Sequence, residues 1–219
     1  VSNDCWPDME NDPDAQRRIK KACELLDAKD GMTVLDIGCH KQEAARYLPE
    51  KALYCGVDYE LIHPNTIKMD IDGGFKFPKV VDRILCLEVL EHLTVPWGAL
   101  QSISLTLSDT GIAVISLPNE ATLFHRLRCL FGIVDQECFS GAGKHLHLPS
   151  LAQSRKFLSE FFVIENEAYY ICKEARGVRQ SWPKMLLRIV PRYLFQFLAE
   201  TLPSLFARGF IFKCVHRPK

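Results

Sequence analysis

The chain has no apolar run of about eighteen residues, and it does not open with a basic segment followed by an apolar one, so neither a spanning helix nor a signal peptide is expected. Its nine cysteines are an odd number without C-x-x-C or metal-finger spacing, and several sit inside apolar runs such as Leu85-Cys86-Leu87 and Ile171-Cys172. That usage fits reduced, buried thiols and a cytoplasmic location. There is no internal repeat, low-complexity tract, nucleophilic triad, phosphate-binding loop or nucleic-acid motif, and no nucleic-acid partner is expected. Nothing after the first predicted strand matches Gly-x-Gly-x-x-Gly, which excludes the dinucleotide fingerprint of dehydrogenases. Net charge is absent too, with 27 Lys and Arg against 27 Asp and Glu.

What is present is enough for one sizeable core: 219 residues, 47% hydrophobic, with no linker-like stretch. The expectation is a single domain, 1–219. It divides into an arm and helix (1–30), a core (31–172), an insertion (173–209) and a last strand (210–219). Asp12-Pro13 supplies a cap and a first-turn proline for a helix whose Ile19, Ala22, Cys23 and Leu26 share one face. Strands are expected at 33–37, 53–57, 66–69, 81–87, 112–117, 162–172 and 210–216. Helices are expected at 41–48, 96–107 and, capped by Ser150, 150–160. Strands alternating with helices require a mostly parallel, doubly wound α/β sheet.

Two strand ends carry the functional signal. Val34-Leu-Asp-Ile-Gly-Cys39 is a buried-strand pattern closed by acid-x-glycine, and Tyr54-Cys-Gly-Val-Asp58 answers it twenty residues later. Ligands of parallel sheets bind beyond the carboxyl ends of the strands. Gly38 permits a tight turn there, and Asp58 can accept both hydroxyls of a ribose. Further on stand Val81-Asp-Arg-Ile-Leu-Cys-Leu-Glu-Val-Leu-Glu-His-Leu93 and Gly111-Ile-Ala-Val-Ile-Ser-Leu-Pro-Asn119. In this order the four elements resemble the class I S-adenosylmethionine-dependent methyltransferases, in particular the branch acting on small molecules and on lipid or glycan precursors.

The resemblance implies a Rossmann-like seven-stranded sheet whose last strand is antiparallel, with a helical insertion before it. It implies S-adenosylmethionine as cofactor, with Asp36, Gly38 and Cys39 along its methionine part, Asp58 on the ribose, Asp70 and Ile71 flanking the adenine, and Leu87 with Glu88 closing the site. Methyl transfer from a sulfonium asks the protein for positioning, desolvation and proton removal. His145 and His92 are the candidate catalytic residues, since imidazole titrates near neutrality; His147 ranks behind His145. Asn119 either binds substrate or fixes its own loop by an Asx turn. The family's loop continues Gly-x-Gly, whereas here Gly38-Cys-His40-Lys-Gln42 follows, so His40 stands in the cofactor loop where close approach favours glycine. Some relatives hold a divalent metal on the residues matching Glu88, Glu91 and His92; many carry the same letters without one, and no metal is expected here.

The acceptor is expected to be a small molecule or a glycan or lipid precursor, methylated on oxygen in first place. The alternative is a methyltransferase-like binding or regulatory protein without catalysis, motivated by His40 and Gln42. The first fourteen residues carry only acids, while Lys173 to Lys219 carries ten Lys or Arg against Glu174 and Glu200. Within that basic end, Lys184, Arg188 and Arg192 recur every four residues beside Trp182, Met185, Leu186, Ile189, Tyr193 and Phe197. Such a stripe over 182–198 fits either peripheral membrane contact or a flap packed on the protein's own core.

Overall fold

The computed structural model describes residues 12–119, 121–132, 145–171 and 191–217. Seven strands form one sheet: β1 (Thr33–Ile37), β2 (Leu53–Asp58), β3 (Ile67–Lys68), β4 (Val81–Leu87), β5 (Leu107–Pro118), β6 (Phe162–Tyr170) and β7 (Gly209–His216). Their order is β3-β2-β1-β4-β5-β7-β6. The pairs from β3 to β5 are parallel, and β7 runs antiparallel between β5 and β6. This is the expected seven-stranded arrangement.

Alternation along the central strands divides the core between two faces. Val34, Leu85, Val114 and Ile211 point to one side and pack against Ile19, Ala22, Cys23 and Leu26 of α1 (Pro13–Leu26). Their neighbours Leu35, Ile84, Ile115 and Phe212 point to the other, among Leu100 and Ile103 of α2 (Pro96–Thr106). Further helices are α3 (Leu123–Leu130), α4 (Leu151–Leu158), α5 (Arg192–Thr201) and α6 (Pro203–Phe206). Capping decides where α1 and α4 begin. The Asp12 carboxylate accepts from the Asp14 and Ala15 amides, and Ser150 with Gln153 forms a reciprocal capping box. Among the described residues no helix is long and apolar enough to cross a membrane.

Four elements depart from the sequence reading. The helix expected at 41–48 is a short 3-10 turn, Glu43–Tyr47, because Gln42 enters it left-handed and Pro49 follows, leaving no room for an α-helical ladder. β3 shrinks to two residues, paired only with β2. β5 begins at Leu107, directly after α2, and is longer than expected. α3 was not foreseen: Leu123, Phe124, Leu127 and Leu130 fall at helical spacing, but the segment is only eight residues long and buries none of them fully. The expected arm 1–11, the glycine-rich stretch around Cys138-Phe-Ser, and Lys184 and Arg188 of the basic stripe lie outside the described residues.

Candidate active site

At the carboxyl end of β1 the chain turns sharply. Gly38 takes φ +72°, and the amides of Gly38 and Cys39 donate to the Val57 carbonyl at 2.9 and 3.2 Å. A Cβ on Gly38 would come within 2.3 Å of Val89 Cγ2, so glycine is required here for conformation and for space. His40 and Gln42 take the left-handed region as well, at φ 45° and 61°. The expected conformation is therefore kept without the glycines. His40 N–H donates to Asp58 Oδ2 at 2.9 Å, and its Nδ1 lies 3.0 Å from Glu43 Oε1. Burial opposes ionisation of Glu43, but His40 together with the backbone of Glu43 and Lys41 outweighs it and holds that carboxyl below its usual range.

Asp36, next to last in β1, is only 4% exposed. Burial pushes its pKa up to about 7, although the Tyr54 hydroxyl, donating to Oδ2 at 2.6 Å, works the other way. Asp36, Gly38, Cys39 and Leu87 line one small recess of about 30 Å³ together with Arg18 and Glu43. The other expected cofactor residues stand apart from it. Asp58 is tied to the amides of His40 and Glu60. Asp70 is exposed, accepting from the Asp72 amide at 3.0 Å, and Ile71 is buried in the core.

Glu88 follows β4 in a left-handed conformation, φ 57°. Its amide donates to Ser116 Oγ at 3.0 Å, and the same hydroxyl donates to Glu88 Oε1 at 2.9 Å. On the other side Arg18 Nη1 approaches Glu88 Oε2 at 3.3 Å, with its guanidinium 5.5 Å from the Tyr170 ring centre. Burial disfavours the Arg18 charge, but Glu88 and then Tyr170 more than compensate and raise its pKa above the ordinary value. Neither Arg18 nor Tyr170 stood out in the sequence. The available signal was an arginine beside the apolar stripe of α1.

Glu91, 1% exposed, sits in the short turn Leu90–His92. His92 Nε2 and His145 Nε2 each lie 3.9 Å from Glu91 Oε1, and the two rings meet edge-on at 4.9 Å. The strap carrying His145 is fixed because the Leu146 and His147 amides donate to the Glu91 carbonyl, and His147 Nε2 lies 2.9 Å from the Leu93 carbonyl. The structure thus joins His92 and His145 around one carboxylate and assigns His147 to holding the strap. One donor atom from each of Glu91, His92 and His145 lies within 4.8 Å of the others, a spacing and donor set suited to a divalent cation. Glu88 is engaged by Arg18 and Ser116, so of the residues that some relatives use for a metal only Glu91 and His92 lie in this cluster, which His145 completes. Asn119 resolves to the Asx turn. It is fully buried, accepts from the Ala121 amide at 3.1 Å and donates to the Ala207 carbonyl at 2.8 Å.

With acids closing β1 and β2, a left-handed glycine between them and Glu88 after β4, the geometry agrees with the sequence comparison. A family model described as a methyltransferase domain matches residues 12–161. The chain belongs to the methyltransferase domain family. It is 27% identical over 126 residues to (S)-tetrahydroprotoberberine N-methyltransferase of Eschscholzia californica, a match covering 49% of this chain and 36% of that protein. The chain therefore spans about a third of the length of that curated relative.

Solved structures share the methyltransferase fold at lower identity. The N-methyltransferase NodS from Bradyrhizobium japonicum WM9, in complex with S-adenosyl-L-homocysteine, superposes with a TM-score of 0.62 at 14% identity, covering 99% of this chain and 94% of NodS. Coclaurine N-methyltransferase, bound to N-methylheliamine and S-adenosylhomocysteine, gives 0.61 at 15% identity over 98% and 73%.

Proposed function

We propose that the protein transfers a methyl group from S-adenosylmethionine to an amine nitrogen of a small-molecule acceptor. The observation that carries this is the sharp turn after β1, where Asp36, Gly38 and Cys39 converge with Leu87 of β4, in a chain of the methyltransferase domain family. Nitrogen takes precedence over oxygen because the relatives described above are N-methyltransferases. When bound, the sulfonium supplies an electrophilic methyl and a neutral thioether leaving group. Asp36 offers a carboxylate to the cofactor's ammonium, and Asp58 offers one to the ribose hydroxyls. An amine acceptor arrives as an ammonium and must lose a proton before it can attack. Glu88 and Glu91 attract that cation, and His92 or His145 accepts the proton. Arg18 and Ser116 hold the Glu88 carboxylate in one orientation, which is the positioning that in-line displacement needs.

A second reading has one specific observation behind it, the Glu91, His92 and His145 cluster. A divalent ion held there would lower the pKa of an acceptor hydroxyl and favour oxygen as the methylated atom. One assay separates the two. The protein is incubated with methyl-labelled S-adenosylmethionine and panels of amines and catechols, with and without a chelator. Chelator-resistant labelling of amines supports the first reading. Labelling of hydroxyls alone, abolished by chelation, replaces it with the second.

A further inference from the structure

Three helices stand at the end of the sheet that also carries Gly38 and Glu88. α3 follows β5, while α5 and α6 join β6 to β7. Because β5 and β6 both run antiparallel to β7, all three helices lie beyond the carboxyl ends of the strands they follow. They are fastened to one another. Arg126 Nη2 of α3 donates to the Ser204 carbonyl of α6 at 3.3 Å, and the Phe195 ring of α5 meets the Phe206 ring of α6 edge-on at 6.2 Å.

The inner side of α5 carries buried Ala199, Phe195 against Phe206, and Arg192, which meets Asp14 of α1 at the cavity between α1, β6 and α5. Helical geometry puts Tyr193, Leu194 and Phe197 on the opposite side, where all three are exposed, Tyr193 by 78%. On α3, Leu127 and Leu130 share a side with Phe131, which follows the helix; all three are exposed, Leu130 by 76%. Leu202, between α5 and α6, is exposed as well. Apolar side chains at this density mark an interaction surface, whereas single exposed ones do not. Charge decides what covers it. Residues 123–132 and 192–208 carry Arg126, Arg128, Arg192 and Arg208 against Glu200 alone. Arg192 is spent on Asp14, but Arg126, one turn before Leu130, gives its hydrogen bonds to the carbonyls of Ala121 and Ser204 and keeps its charge. A second copy applied by the same face would set arginine against arginine. A bilayer with anionic headgroups answers both features, since its acyl region takes the apolar side chains and its phosphates take the guanidinium groups.

We infer that the outer face of α3, α5 and α6 docks the protein onto an anionic lipid bilayer. The contact is peripheral, since among the described residues no helix is long and apolar enough to cross a membrane. It sets the end of the sheet that carries Gly38 and Glu88 toward the lipid surface.

The test is co-sedimentation of the whole chain with vesicles of phosphatidylcholine alone and of phosphatidylcholine mixed with phosphatidylglycerol, at low and at high salt. The double variant Leu130→Ser/Phe197→Ser removes two outer side chains. Leu105→Ser is the control, because Leu105 is equally exposed but lies on α2 just before β5 begins, at the opposite end of the sheet. All three positions are exposed, so the fold is expected to stand, which thermal melting checks. If the double variant melts early, Phe197→Ser alone replaces it. The expected result is binding to the mixed vesicles well above that to phosphatidylcholine, weakened by salt. Affinity should fall about tenfold or more in the double variant and stay within about twofold of the parent in Leu105→Ser. No binding to the mixed vesicles, equal binding to both kinds, or equal binding by parent and double variant overturns the inference. A dimer that the double variant dissolves, without vesicle binding, overturns it in favour of a second copy on this face.

Discussion

The turn after β1 is shaped by backbone, whereas the neighbouring cavity between α1, β6 and α5 is shaped by side chains that meet across the length of the chain. At the first, amides of Gly38 and Cys39 converge on one carbonyl, and Asp58 is read by the His40 amide. At the second, Arg192 reaches Asp14 from 178 residues away. A turn built from backbone leaves little freedom for substitution, whereas a cavity built from side chains can be rewritten by substitution without disturbing the turn.

The largest effect that would sharpen this contrast is on turnover. Glu88→Gln removes the group held between Arg18 and Ser116 and is expected to lower kcat by about 10²- to 10⁴-fold, with S-adenosylhomocysteine affinity changed less than about tenfold. Equal losses in both would place Glu88 in cofactor binding instead. Next comes the turn itself: Gly38→Ala demands a left-handed alanine and a 2.3 Å approach to Val89. Conformation costs about 1–2 kcal/mol and overpacking about 1–3 kcal/mol, which denaturant melts would register along with loss of cofactor binding.

The same contrast explains what the sequence disclosed. The strand ends carrying Asp36, Gly38 and Asp58 were legible because a buried parallel strand that ends in a tight turn leaves a local pattern of apolar run, acid and glycine. The end of β4 at Leu87 was legible for the same reason. Arg18 was not, because its role depends on Glu88 and Tyr170, which approach it only through the sheet. His145 was visible as a histidine before a helix, but its position against Glu91 and His92 comes from amides of the strap bonding to the Glu91 carbonyl. The brevity of the turn at 43–47 was hidden because a left-handed Gln42 has no reliable sequence mark.

A smaller effect is a pH dependence. Burial pushes Asp36 up to about 7 in the folded chain, against the ordinary carboxylate value of about 4 when unfolded. A cofactor ammonium prefers the ionised form, so affinity should climb as pH rises toward about 7, at most about tenfold per unit, and level off above it. Stability of the free protein runs the other way: the folded state holds the proton more tightly, so the contribution is full below about pH 4 and is lost by about pH 7. Asp36→Asn should flatten both slopes, and unchanged slopes would place the titration elsewhere.

The smallest expected change is His40→Gly, which relieves a left-handed histidine but removes its contact with Glu43, for a net shift in cofactor affinity below about tenfold. A rise of orders of magnitude from an undetectable level would mark the natural chain as the binding protein without catalysis.

The central claim is that the β1 and β2 ends hold S-adenosylmethionine. It is tested most directly by calorimetric titration of the protein with S-adenosylmethionine and S-adenosylhomocysteine, with Asp58→Ala as the control. Micromolar binding that Asp58→Ala weakens by about a hundredfold is the result expected from losing charge-assisted hydrogen bonds to the ribose. No binding at millimolar ligand, or binding indifferent to Asp58, would contradict the account.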